Sequence, residues 1–407
     1  MANSLITPSI IAKEALMQLK NNLVMGNLVY RDYSKEFVKV GSSISVRKPV
    51  RFVASSGATR VNQDVTEGTV PVLMDQQKHV SWKFSSVDLT LTVDQYSERY
   101  IKPAMMELAQ AVEISLCGLY STVPNHVGTP GTTPSTFLQV GAAWQRLIDN
   151  RVPMGSTLNA VIETNATLQI ANDMKLQFQQ AKQLRAIEDV MIGRYAKFDT
   201  YTGQSIVNHT TGIMPSGFAT FLVNGANQHS NATPQANSQS MICSGGTASQ
   251  TGWLKAGDII TFAGVLAVNA GTRQNYTYSK QFVVTADANT DGAGASTITI
   301  SPAIISTGPY QNVSAVPASG AVITRVTGTA VTGFPQNMCF HKNAFALVSA
   351  DLELPDGVPF KARESYDNLS VRVVKSYNID NDEDVIRLDI LYGVKTIYPE
   401  LAVRLTG

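Results

Sequence analysis

The run Asp287-Ala288-Asn289-Thr290-Asp291-Gly292 has the spacing of the first half of a calcium loop. Such a loop needs a bidentate carboxylate at its twelfth position, which here is Ile298. The flanks alternate as strands, and Asn, Asp and Gly suit a tight turn between them. A turn therefore outweighs a calcium-binding surface module. A second acidic cluster, Asp380-Asn381-Asp382-Glu383-Asp384, lies between SVRVVKSYNI and VIRLDILYGV. It reads as the water-facing tip of a hairpin, one that could attract a cation or meet a basic patch on a neighbour.

Other chemistry is scarce. The five histidines, His79, His126, His209, His229 and His341, never fall within helical reach of one another. No G-x-S-x-G, Walker loop, H-E-x-x-H or C-x-x-C occurs. Cys117, Cys243 and Cys339 are far apart and odd in number, which excludes a disulfide framework or zinc knuckle and fits a reducing compartment. A glycan hydrolase would need two carboxylates about 5–9 Å apart, and the β-rich part of the chain is poor in them. No catalytic, metal or cofactor residue is assigned, and the chain reads as a non-enzyme.

One charged constellation stands out. Lys35, Lys39, Arg47, Lys48, Arg51 and Arg60 are opposed only by Glu36, while the segment from Asp64 to Glu113 is net acidic. Both can be solvated faces. As a contact, Arg47, Lys48, Arg51 and Arg60 of one subunit would meet charges such as Asp64 and Glu67 of a neighbour.

The elements that must position these residues follow from composition and periodicity. The chain has 407 residues, 15% charged, with a net charge of +1. Soluble domains carry about 25% charged residues, so water-facing surface is missing, as when a chain packs against copies of itself. A single core supports roughly 250–300 residues, so two or more domains are expected. Near-zero charge argues against a dedicated nucleic-acid binder. The N-terminus lacks a basic region and an unbroken apolar run, so no signal peptide is expected. No apolar run approaches the about 18 residues that span a membrane. From Tyr201 to Pro335 the only charged residues are Lys255, Asp258, Arg273, Lys280, Asp287, Asp291 and Arg325, which marks an inserted domain.

Ile11, Ala15, Leu19 and Leu23 recur at helical spacing after Thr7-Pro8-Ser9, predicting an arm helix ended near Gly26. Residues 43–54 alternate as a strand, with Pro49 at an edge or bulge. Residues 79–93 alternate too, slipping phase at Ser85-Ser86. The two make a long hairpin with no core of its own, which something outside the subunit should hold. Ile101, Met105, Leu108, Val112 and Leu116 predict an amphipathic strut helix within 94–122, with Pro103 in its first turn. Helices follow over 135–150 and 164–184, and extended chain over 193–207. Residues 210–335 predict a small all-β barrel or sandwich from runs at Ile259–Phe262, Phe282–Thr285, Ile298–Ile300 and Ala321–Val326. Residues 224–252 lack periodicity and predict an exposed loop, and 339–405 is again β.

Three segments carry a family resemblance. Lys255-Ala256-Gly257-Asp258-Ile259-Ile260-Thr261-Phe262-Ala263-Gly264-Val265 resembles a stretch of the coat proteins of short-tailed Salmonella phages. Leu391-Tyr392-Gly393-Val394 with Pro399-Glu400 is similar to that family's ending, with Tyr398 where the family pattern has Arg. Gly193-Arg194-Tyr195-Ala196-Lys197-Phe198-Asp199 resembles its G-x-x-G-F-D segment, and the order of the three is the family's order.

The resemblance implies an α+β, HK97-like phage capsid fold: N-arm, E-loop hairpin, spine helix, peripheral and axial domains, and an inserted all-β barrel. The corresponding ranges are 1–40 (arm), 41–93 (E-loop hairpin), 94–200 (spine helix and peripheral/axial domain), 201–335 (inserted barrel) and 336–407 (return strands). It implies a major capsid protein that self-assembles into the icosahedral shell of a tailed double-stranded DNA phage, assembled in the bacterial cytoplasm and expanding as DNA is packaged. Implied partners are other copies in hexamers and pentamers, a separate scaffolding protein, a portal protein, packaged DNA bound without sequence preference, and a decoration protein; no membrane is involved. The chain begins almost directly with the arm helix, so a fused scaffold is not expected. In the family a loop of the inserted domain crosses a two-fold axis between capsomers. Its counterpart here is 224–252, whose Asn227, Gln228, His229, Asn231, Gln235 and Asn237 would bond through hydrogen bonds rather than salt bridges. The charge-poor insert would face outward, holding water through hydroxyls and amides. A β-rich tail, fibre or decoration protein is the alternative, and a virion glycan hydrolase a more remote one.

Overall fold

The computed structural model describes residues 8–33, 43–54, 56–60, 62–63, 65, 67–85, 100–174, 190, 192–233, 235–326, 328, 330–358 and 360–407. The chain opens with α1 (Pro8–Asn22) and the short α2 (Met25–Leu28), then β1 (Ser43–Arg47), β2 (Thr69–Leu73), β3 (Gln76–Ser85) and α3 (Lys102–Cys117). Next come β4 (His126–Val127), α4 (Phe137–Asp149), β5 (Leu158–Ile162), α5 (Thr164–Met174), β6 (Arg194–Tyr195), β7 (Phe198–Thr202) and β8 (Asn208–Thr210). The charge-poor region holds β9 (Leu222–Val223), β10 (Gln239–Ser244), β11 (Ile259–Val268), β12 (Asn275–Val284), β13 (Ser296–Ser301) and β14 (Ile323–Arg325). The chain closes with β15 (Gly333–Pro335), β16 (Asn337–His341), β17 (Phe345–Ala350), β18 (Phe360–Tyr366), β19 (Leu369–Asn378), β20 (Glu383–Thr396) and β21 (Ala402–Leu405). These form two compact units. One comprises Met1–Ser45, Pro71–Cys117 and Phe345–Lys395; the other comprises Val46–Val70, Gly118–Ala344 and Thr396–Gly407. The return segment 336–407 has residues in both units.

In the first unit α1 buries Ile11, Ala15 and Leu19, the stripe its spacing predicts, against α3, β18 and β19. Lys20 and Arg31 both hold Asp367, at 3.0 and 2.9 Å. Helix α3 buries Met105, Leu108, Val112 and Leu116, and Pro103 is its second residue. The arm helix ends near Gly26, as expected: α1 stops at Asn22, and Gly26 lies inside the short α2. Glu113 on α3 holds the start of α2, its buried carboxylate accepting the backbone N–H groups of Met25 and Gly26 at 2.9 Å each. Burial pushes the Glu113 carboxyl up, against the lowering effect of those amides.

The sheet of this unit runs β17-β20-β19-β18, with β3 also paired to β20. The hairpin β19–β20 turns through the acidic cluster, where Lys375 meets Asp384 at 3.0 Å and Tyr377 donates to Asp382 at 2.7 Å. The expected pairing of 43–54 with 79–93 is not what forms. Strand β3 pairs along its whole length with β20, from Ser85 opposite Glu383 to Gln76 opposite Tyr392. Strand β1 pairs instead with β2, which lies in the stretch that reads as a polar linker. There Val70 and Val72 alternate inward between exposed neighbours, a strand hidden by its short length. The second half of the expected strand, 86–93, lies outside the described residues.

In the second unit one sheet runs β4-β21-β16-β5-β7-β6, flanked by α4 and α5. A reciprocal capping box between Thr136 and Gln139 starts α4. Strand β5 has no counterpart in the sequence reading: Leu158 to Ile162 is buried on both faces, so it shows no alternation. Residues 175–184 of the expected third helix lie outside the described residues. The resemblance segment at Gly193 folds as the hairpin β6–β7, with Ala196 and Lys197 both in the left-handed region.

The charge-poor region forms an antiparallel sheet in the order β14-β11-β12-β13-β10-β9. It closes on itself through a bridge from Leu222 to Val322 and the bonds Ile323 N–H to Phe221 O (2.9 Å) and Val223 N–H to Ala321 O (3.0 Å). Trp253, Phe262, Phe282 and Ile298 fill its core. The ladder β11–β12 slips register after Thr261, and Gly264 there has φ of 79°, a bulge conformation that favours glycine. The expected loop 224–252 is corrected: residues 239–244 are β10, with Met241 and Cys243 pointing into the core. Only two inward residues alternate, too few to register against the surrounding Ser and Asn.

Replacing Glu113 by Ala leaves two buried N–H groups without acceptors and is expected to cost about 2–4 kcal/mol. Urea unfolding should show a lower midpoint for Glu113→Ala, with Glu113→Gln between it and the parent.

Candidate functional site

Three groups of polar side chains in the second unit are built around the barrel. The first lies at the start of β11. Asp258 has no exposure, and its Oδ1 meets His209 Nε2 at 3.0 Å while Oδ2 accepts the N–H groups of Lys255 (2.9 Å) and Gly212 (3.0 Å). His209 on β8 also meets the Tyr120 hydroxyl at 3.1 Å. Arg325 on β14 stands 4.0 Å from Asp258 and donates to the Gly328 carbonyl at 2.9 Å. Arg404 on β21 donates to the carbonyls of Val123 (3.0 Å) and Gly257 (2.8 Å) and lies over the Tyr120 ring. Burial pushes the Asp258 carboxyl up, but the His209 bond and the two amides outweigh it and hold it below the ordinary range. Burial lowers Arg404 to about 9. Gly257 has φ of 97°, and a side chain there would press on the His209 ring. The Lys255-to-Asp258 part of the family-like segment is therefore the root of the barrel.

Tyr120, His209 and Asp258 have the connectivity of a proton relay, but all are buried, so they position the barrel rather than react. The calcium-like run is likewise occupied. Asp287 accepts the Ala256 N–H at 2.8 Å, Asn289 that of Gly252 at 2.7 Å, and Asp291 those of Ala293 and Ala295 at 2.8 Å. Among the described residues no group of three or more His, Cys, Asp or Glu could hold a metal ion. Burial raises the thiols of Cys117, Cys243 and Cys339 to about 12, which keeps them protonated.

The second group joins β12 to the neighbouring elements. Tyr276 and Tyr278 stack with ring centroids 5.1 Å apart, and the Arg146 guanidinium sits 3.7 Å over Tyr278. The Tyr278 hydroxyl donates to the Asp149 carboxylate at 3.2 Å. Gln281 brackets the His126 backbone, accepting its N–H at 2.8 Å and donating to its carbonyl at 3.0 Å. His126 itself is buried beside the Thr406 hydroxyl, 3.1 Å away, and burial depresses its ring to about 3, helped by Arg404 and Arg146.

The third group contains most of the charges the sequence singles out. Arg47 pairs with Glu67 at 3.1 Å in the open, and Arg60 is exposed. Arg51 meets Glu400 at 2.8 Å, and its N–H donates to the Tyr310 hydroxyl at 3.1 Å. Lys48 is half-buried within the field of Glu400. Asp64 lies outside the described residues. The expected capsomer-crossing residues mostly turn back on their own chain. Gln228 exchanges bonds with the Ile242 backbone, Asn231 with Ser306, Gln235 donates to Tyr310 at 2.6 Å, and Asn237 donates to the Thr69 carbonyl at 3.1 Å. Asn227 and His229 face water. Gln235, Asn237 and Tyr310 thus hold the base of the β1–β2 ribbon, a role that no local pattern reveals. Glu400, its ionic partner, was visible only inside the Pro399-Glu400 resemblance.

The buried neutral His126 binds protons near pH 3, whereas in the unfolded chain it titrates near about 6.5. Its contribution is complete above the unfolded value and is lost as pH falls toward 3. Urea midpoints measured from pH 7 to pH 5 should decline, and His126→Gln should flatten part of that decline. Asp258→Ala strands His209, Arg325 and two amides and is expected to cost about 3–5 kcal/mol, read as a lowered thermal midpoint.

A family model described as P22 coat protein, gene protein 5, matches residues 1–407. No curated protein sequence matches the chain. Among solved structures, one from Mycobacterium phage Che8 is 14% identical with a TM-score of 0.49, covering 94% of this chain and 90% of its own. The capsid structure of Cyanophage P-SCSP1u is 10% identical with a TM-score of 0.47, covering 94% and 88%. The CUS-3 coat protein I-domain is 25% identical with a TM-score of 0.20, covering 28% of this chain and 99% of its own.

Proposed function

The chain belongs to the P22 coat protein family, and from that premise we propose how its parts serve a shell. It is a major capsid protein, a subunit that self-assembles into the shell of a phage virion. No helix among the described residues is long and apolar enough to cross a membrane. We read its role as structural and not enzymatic. The observation that carries the reading is the family match along the whole chain.

Within an HK97-like arrangement, α1 and α2 are the N-arm, the β1–β2 ribbon the E-loop base, and α3 the spine helix. The sheet carrying β17–β20 is the peripheral domain, the sheet around β5 and β16 the axial domain, and the closed barrel the insertion within 201–335. The ribbon, with exposed Arg47, Glu67 and Arg60, is the part offered to a neighbouring copy. Asn227 and His229, exposed on the barrel loop, are offered across capsomers. Copies assemble as hexamers and pentamers with a separate scaffolding protein and a portal protein. Packaged DNA touches the shell weakly and without sequence preference, because near-neutral subunits neither repel one another strongly nor trap the genome.

Purified protein, with and without its scaffolding protein, is expected to give closed shells of uniform size by negative-stain microscopy when the scaffold is present. A monodisperse monomer under every condition would overturn the reading. A steep salt dependence of DNA binding by isolated subunits would overturn the weak-contact part alone.

A further inference from the structure

The barrel loop after β9 contains the one Asn-Gly step in the chain, Asn224-Gly225. Both residues are exposed. Among the described residues no hydrogen bond holds the Asn224 side-chain amide. Other asparagines of the barrel are tied down: Asn231 donates to Ser306 at 3.0 Å, Asn237 to the Thr69 carbonyl at 3.1 Å, and Asn312 to the Ala303 carbonyl at 2.8 Å. Gly225 has φ of 102°, and a Cβ there would meet only Gln228 Nε2, 3.8 Å away. The Gly225 nitrogen therefore stands unshielded next to a free side-chain amide. Its N–H donates only a long bond, 3.3 Å, to the Ser319 hydroxyl.

One side chain restrains this step. The Gln228 amide nitrogen donates to the Asn224 carbonyl at 2.8 Å, the Ile242 carbonyl at 3.1 Å and the Gly225 carbonyl at 3.4 Å. Its oxygen accepts the Ile242 N–H at 2.6 Å. Gln228 thus clamps the Asn224-Gly225 backbone to β10. The Asn224 N–H adds a bond to the Ile242 carbonyl at 2.9 Å.

We propose that Asn224-Gly225 is a site of spontaneous deamidation, with Gln228 as the brake that sets its rate in the folded protein. The Gly225 nitrogen bonds to the Asn224 side-chain carbonyl carbon and gives its proton to solvent. The bond from that carbon to the amide nitrogen breaks, and ammonia leaves a cyclic imide. Water then opens the imide. Breaking the new side-chain bond gives aspartate; breaking the original peptide bond gives isoaspartate, in which the chain runs through the side chain. The net change is amide and water to carboxylate and ammonia, with no oxidation. Attack requires the Asn224 carbonyl to swing as the Gly225 nitrogen approaches the side chain, and the Gln228 bonds oppose that swing. The product places a negative charge in a stretch, residues 201–254, that has no charged residue. Isoaspartate also adds a backbone atom one residue after Val223, which bonds Ala321 and Gly320 at 3.0 and 2.8 Å along the seam that closes the barrel.

The test incubates the full-length protein, as folded single subunits, at mildly alkaline pH. Peptide mass spectrometry follows conversion at residues 224, 231 and 237. Conversion is expected at 224, with Asn231 and Asn237 intact. It should run about fivefold faster in Gln228→Ala, the factor that one lost hydrogen bond of ordinary strength allows. It should vanish in Asn224→Gln, whose longer side chain closes the ring poorly. Damage to the fold would also release Asn231 and Asn237, so acceleration confined to residue 224 assigns the effect to the clamp. Acceleration at all three positions, or equal rates at 224 in the parent and Gln228→Ala, overturns the role of Gln228. An unconverted residue 224 in the folded parent, over a time in which the urea-unfolded chain converts fully, overturns the site itself. Each of these outcomes leaves the shell-forming role untouched.

Discussion

A carboxylate with no exposure to water has to be neutralised by its surroundings. Asp258 meets this requirement with groups from widely separated parts of the chain: His209 from β8, the amides of Gly212 and Lys255, and Arg325 from β14. Arg404, from the last strand, adds its field and fastens the Gly257 carbonyl one residue away. Desolvating a charge costs several kcal/mol unless its partners are in place. The barrel root therefore has one acceptable geometry, and the ends of the inserted segment must come together for it to form.

The same requirement explains where the few charges of residues 201–335 are used. Asp258 and Arg325 sit at the root. Asp287 and Asp291 hold turns through backbone amides. The barrel wall is left to hydroxyl, amide and aliphatic groups. The low charge content is thus not a uniform dilution of polar surface, because charge is kept mainly where it fixes the barrel to its support or closes a turn.

Helices whose apolar residues repeat at helical spacing were legible in the sequence, and α1 and α3 bury the residues their periodicity predicts. The barrel was legible because its core strands alternate and its turns are rich in Gly, Asn and Asp. Among the described residues, three of the strands that escaped did so for different physical reasons. β5 is buried on both faces and does not alternate. β2 is short and surrounded by polar chain. β10 has only two inward side chains. The partner of β3 was also not legible, because pairing it with β20 depends on segments some 300 residues apart, a distance at which local pattern carries no information. Of the candidate contact residues, Arg47 pairs with Glu67 and Arg51 with Glu400, both within the chain. Local charge could not show that Arg51 turns toward Glu400 of its own chain, since that choice is made by the fold of the C-terminal segment.

Closure of the barrel between Leu222 and Val322 has a consequence for a protein that exists at very high local concentration. An open six-stranded sheet would present two rows of unpaired N–H and C=O groups, each a template for the same row on the next copy. Shell geometry would bring such rows close together many times over, and strand-to-strand annealing would compete with the intended lattice. With the first and last strands joined, the insert can crowd against its counterparts without zipping to them. Side chains then decide which barrels touch, and the backbone has no vote.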